Sequence, residues 1–66
     1  MKGFKMTKFQ RKQIDMIEIY IANNMMDTAS RSISALIRSA SNCKQSDELR
    51  SYAIRKQLDK MPEFIA

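Results

Sequence analysis

Histidine and tryptophan are absent from this 66-residue sequence, and cysteine, glycine and proline occur once each. Without histidine, the usual general base and the commonest metal ligand are both missing, which removes most nucleophile–base pairs. The single thiol, Cys43, can form no intramolecular disulfide and no thiolate cluster for zinc or iron–sulfur. The acids Asp47, Glu48, Asp59 and Glu63 show no spacing that suggests acid–base chemistry or a calcium loop. These absences point to a non-enzymatic protein without metal, cofactor or small-molecule substrate, suited to a reducing cytoplasm.

Long apolar runs are lacking too. The stretch IDMIEIYIA follows a basic N-terminus as the core of a signal peptide would, but Asp15 and Glu18 interrupt it and no small-residue cleavage site closes it. Nothing approaches the ~18 consecutive apolar residues of a membrane span. No membrane association is expected.

Helix breakers are scarce as well, since Gly3 and Pro62 lie at the two ends of the chain. The long interior is built mainly from helix-compatible residues, so an all-α fold is expected. A chain of this size makes one domain and hides only about 60% of the surface its unfolded form exposes. The apolar fraction of 44% suffices for one small core, and a homodimer would add buried surface.

What the sequence does have is a concentration of positive charge. Lys2, Lys5, Lys8, Arg11 and Lys12 fall within residues 1–12 with no acid among them, and this stretch carries the whole formal charge of +5. Residues 13–66 balance seven basic against seven acidic side chains. The chain reads as a basic N-terminal arm, residues 1–12, on a near-neutral helical domain, residues 13–66. Such an arm seeks a polyanion or an acidic protein surface. Cationic arms bind nucleic acid by neutralising phosphates and releasing counterions, and the interleaved Phe4 and Phe9 can stack on bases. A solvated terminus whose lysines only maintain solubility is the competing reading.

Cap residues divide the body at NNMMDT, 23–28, and SNCKQSD, 41–47. The resulting expectation is a small three-helix bundle with helices near 7–24, 28–42 and 46–60. In the first segment Phe9, Met16, Ile17, Tyr20 and Ile21 follow one broad helical stripe, Arg11 and Asp15 form a supporting pair, and Asn23 and Asn24 end the helix. The alternation in Ile17-Glu18-Ile19-Tyr20-Ile21 also suits a strand, but segment length favours the helix. In the second segment Ala29, Ile33, Leu36, Ile37 and Ala40 make a narrow apolar face, with Asp27 placed as N-cap. The third starts at Ser46 as N-cap. It sets Leu49, Tyr52 and Ala53 on one side and Ile54, Leu58 and Met61 about 140° away, counting 3.6 residues per turn. The core is expected to centre on Ile17, Ile21, Ile33, Leu36, Ile37, Leu49 and Ala53.

Two further surfaces stand out. On the second helix Arg31, Ser34, Arg38 and Ser41 share the face opposite the apolar one, where forked cations and short hydroxyls can lie on a phosphate backbone. An ordinary solvated face would look the same. Met25 and Met26 fall in a turn, and with Ile54, Leu58 and Met61 they suggest a protein interface, because methionine adapts to irregular partner surfaces.

Residues 32–40, SISALIRSA, resemble the second helix of ribbon-helix-helix DNA-binding proteins, where a short polar start leads into Leu-Ile-Arg and a small residue. The resemblance implies an N-terminal strand that pairs across a dimer and enters the major groove. Phe4-Lys5-Met6-Thr7 would supply it, with Lys5 and Thr7 outward. The sequence departs from that pattern in the length between this strand and the second helix and in having a third helix. The length and charge balance of residues 13–24 and 28–41 would also suit a helix-turn-helix, but the turn, Asn-Asn-Met-Met-Asp, lacks the glycine often found there.

The expected function is that of a small non-enzymatic regulator binding DNA or RNA through Lys2, Lys5, Lys8, Arg11, Lys12, Arg31 and Arg38. The alternative is an adaptor or inhibitor that binds a larger cellular protein through Met25, Met26, Ile54, Leu58 and Met61.

Overall fold

The α1 helix, Lys8–Ala22, begins where a threonine and a glutamine satisfy each other's backbone. Thr7 Oγ1 accepts from the Gln10 backbone N–H at 3.1 Å, and Gln10 Oε1 accepts from the Thr7 N–H at 3.0 Å. This reciprocal capping box satisfies two backbone N–H donors at the helix start. The computed structural model describes residues 7–65. The expected strand at residues 4–7 lies outside them except for Thr7, which is the N-cap of α1.

At its other end α1 closes in a Schellman motif. Asn24 adopts φ 64°, its N–H bonds the Ile21 carbonyl at 3.0 Å, and the Met25 N–H bonds the Tyr20 carbonyl at 2.8 Å. Asparagine tolerates this left-handed position better than most non-glycine residues. Asn23 and Asn24 thus end the helix as their composition suggests, and Ile17-Glu18-Ile19-Tyr20-Ile21 is helical.

The α2 helix, Met26–Arg38, follows at once. It starts earlier than expected, with Met25 as its cap residue and no side-chain cap bond, so Asp27 lies inside the first turn. There its carboxylate still opposes the positive helix end. The helix ends at Arg38 rather than 42, with the Ser39 hydroxyl donating to the Leu36 carbonyl at 3.0 Å.

The α3 helix, Cys43–Arg55, is capped by Asn42, whose side-chain oxygen accepts from the Gln45 N–H at 2.9 Å. The expected cap, Ser46, is therefore inside the helix. At the far end Gln57 turns left-handed, with φ 64°, and a short 3-10 helix, Leu58–Lys60, follows. This break sends Leu58 back into the core, where its exposure is 0%. Its expected place beside Ile54 and Met61 on a free side of the third helix is corrected by that turn.

The result is an all-helical three-helix bundle built around α2, which packs against α1, α3 and the 3-10 helix. Its Cα radius of gyration of 10.9 Å is that of a compact chain of this length, for which ~10–11 Å is expected. Ile17, Ala29, Ile33, Leu36, Ile37, Leu49, Ala53 and Leu58 form the core. Ile21 is only half-buried against it, and so are Met26 and Tyr52. Side chains bridge α1 and α3: the Gln10 amide donates to Gln45 Oε1 at 3.3 Å, and the Tyr52 hydroxyl donates to Glu18 at 2.5 Å. Lys56 lies 3.9 Å from the same carboxylate and 5.8 Å from the Tyr52 ring centroid.

Two serines of α2 anchor the C-terminal segment. The Ser30 hydroxyl donates to the Leu58 carbonyl at 2.9 Å, and Ser34 Oγ accepts from the Ile65 N–H at 3.1 Å. Both are buried, so Ser34 belongs to the packed side of α2 and not to the exposed arginine face. A buried hydroxyl without a partner is costly, and here the returning chain supplies one.

Candidate nucleic-acid interface

The basic stretch and the helical body overlap. Lys8, Arg11 and Lys12 project from the first turns of α1, all exposed, while the intervening Gln10 is 5% exposed and tied to α3. Lys2 and Lys5 lie outside the described residues. No acid stands in the first turn of α1, so three cations crowd the positive end of its helix dipole. That placement is locally unfavourable, and an anion there relieves it.

No side chain among the described residues offsets this charge. Arg11 and Asp15, spaced as a supporting pair, do not come within ion-pair distance. Lys8, Lys12, Arg31 and Arg38 have no anionic partner among the described residues either.

Between α1 and α2 lies an open groove of about 410 Å³. Phe9 and Gln13 line it from α1; Arg31, Ser32, Ala35, Leu36 and Ser39 line it from α2. Its existence follows from small residues: Ser32, Ala35 and Ser39 recur along the α2 side facing Phe9, so nothing large fills the space. Phe9 shares the helical stripe of Ile17 but is 64% exposed and stands outside the core. Met16, from the same stripe, is also exposed.

The groove brings some expected site residues together and separates others. Arg31 lines it directly, and Arg38 follows two turns further along the exposed face of α2. Lys8 and Lys12 flank Phe9 in sequence on α1. Arg11, two positions from Phe9, projects from the far side of that helix at about 100° per residue. Ser41 lies beyond the end of α2. Sequence reasoning missed Gln13, Ser32 and Ser39, whose only signal was polar or small character at helical spacing.

Of the residues expected to form an apolar interface, Leu58 is buried in the core, Met26 and Met61 are half-buried, and Met25 and Ile54 are exposed. Among the described residues no group of His, Cys, Asp or Glu is arranged to hold a metal ion, and no helix is long and apolar enough to cross a membrane. No family model matches the chain, and neither does any curated protein or solved structure. The ribbon-helix-helix resemblance has no match behind it, and the intact helix from Lys8 to Ala22 precedes the residues that carry it.

Proposed function

We propose that the chain is a small non-enzymatic regulatory protein that binds nucleic acid through its basic N-terminal stretch and the neighbouring arginines of α2. The observation that carries this reading is that the two helices lining the groove of the exposed Phe9 also carry exposed cations without an ion-pair partner among the described residues, Lys8 and Lys12 on α1 and Arg31 and Arg38 on α2. A phosphate backbone supplies the anions that the protein itself does not place there. Lys2 and Lys5 extend the same run of charge toward the N-terminus.

The test is binding of the full-length protein to a mixed pool of DNA and RNA at low and raised salt. The same measurement on a Lys8→Gln/Lys12→Gln/Arg31→Gln variant removes charge without touching the Thr7–Gln10 cap. Salt-sensitive binding is expected, and the variant's log–log salt slope should fall in magnitude by roughly 2–3, at ~0.7–0.9 for each of three phosphate contacts. Absence of binding to either polymer at low salt contradicts the proposal.

A further inference from the structure

We propose that the groove between α1 and α2 seats an unpaired base of a single-stranded nucleic acid, stacked on Phe9. This deepens the nucleic-acid reading and rests on it. Phe9 presents an aromatic ring that the fold leaves 64% exposed, with Lys8 directly before it in sequence and Lys12 three residues after it on the same helix. The floor beneath is apolar, from Ala35 and Leu36. Gln13 and Ser32 add polar groups at the margin, and Arg31 adds a guanidinium.

This combination suits one occupant. A base has a π-face for Phe9 and polar edges for an amide and a hydroxyl, while its phosphates meet Lys8, Lys12 and Arg31. The charge complementarity commits the groove to a polyanion, and the aromatic wall commits it to a strand whose bases are free. A duplex keeps its base faces stacked inside and offers the groove nothing that Phe9 can use. The marginal amide and hydroxyl are too few to read sequence, so binding tolerates any base.

The experiment measures affinity of the full chain by fluorescence anisotropy for three probes of equal length: a labelled oligothymidylate, the same strand with abasic sites, and a duplex. Phe9→Ala is compared with the native protein, and circular dichroism checks that the exposed substitution leaves the helices intact. The proposal expects oligothymidylate to bind tighter than either other probe. It expects Phe9→Ala to lose roughly tenfold on oligothymidylate, with no change on the abasic strand and no change in salt slope. Equal affinity for abasic and natural strands, or a Phe9→Ala variant that binds like the native protein, overturns the stacking groove while leaving phosphate binding standing. No binding to any probe at low salt defeats both. An acidic, apolar peptide that displaces nothing from the strand complex, yet binds in a Phe9-dependent way, assigns the groove to a protein partner and also overturns it.

Discussion

The Gln10 side-chain amide donates to Gln45 Oε1 at 3.3 Å, joining the first turn of α1 to the start of α3 across the top of the bundle. Gln45 Oε1 also accepts from the Ser41 N–H at 3.0 Å, and Gln10 Oε1 holds the Thr7 N–H. One pair of glutamines thereby ties together the helix start that carries Lys8, Phe9 and Lys12, the α2–α3 turn and the body. The cationic stretch from Lys8 onward is held in place by the fold.

Replacing Gln10 with alanine removes one half of the capping box and the bridge to Gln45 in a nearly buried position. The expected cost is about 1–2 kcal/mol. For a domain this small, each 1 kcal/mol corresponds to roughly 4–8 °C in Tm, so thermal unfolding followed by circular dichroism reads it directly. A change below about 0.3 kcal/mol would mean that the glutamine pair holds nothing.

Leu58→Ala and Ile54→Ser separate the buried from the exposed side of the C-terminal third. Leu58 is fully buried, and its truncation is expected to cost about 2–4 kcal/mol, a large fraction of a small domain's stability. Ile54 is 59% exposed, and its replacement should stay within about 0.5 kcal/mol. Urea denaturation of both variants checks the pair. Similar effects from the two would contradict the turn at Gln57.

Gln57 pays a backbone cost at φ 64° that glycine does not. Gln57→Gly is therefore expected to stabilise the fold by about 0.5–1 kcal/mol, and Gln57→Val to destabilise it by at least as much. Midpoints of urea unfolding at constant m-value give the comparison.

Burial, then the hydrogen bond to Glu18 and the charge of that carboxylate, raises the Tyr52 phenol above its ordinary value, with Arg55 opposing. A raised folded-state pKa means the folded protein holds this proton more tightly than the unfolded chain. The resulting stabilisation is fully present below the unfolded value of about 10 and is lost as pH rises beyond it. Tyr52→Phe should flatten that alkaline fall in stability between pH 9 and about 11, measured by urea unfolding. An unchanged alkaline dependence would show that neither burial nor Glu18 raises the phenol in the folded protein.

Much of this architecture was legible in the residues. The apolar face of α2 from Ala29 to Ile37 declared itself by spacing, and the three segments were separated by Asn and Ser clusters. The capping box Thr7-Lys8-Phe9-Gln10 is also written in the sequence, as a threonine followed three residues later by a glutamine. Leu58 misled because nothing in Lys56-Gln57 marks a break; no glycine or proline stands there, and only tertiary packing makes the left-handed turn worthwhile. Ser34 is expected on the exposed face because serine is usually exposed, whereas its burial, like that of Ser30, depends on a C-terminal segment that returns to bond both. The groove beside Phe9 arises from how α1 crosses α2, which periodicity along a single helix does not encode.

The most direct measurement is a chemical-shift titration of the isotopically labelled full chain with a short single-stranded oligonucleotide at low salt. The account predicts perturbations concentrated at Lys8, Phe9, Lys12, Gln13, Arg31, Ser32 and Ala35, fading as salt is raised. Perturbations centred on Ile54 and Met61, or none at all, would contradict it.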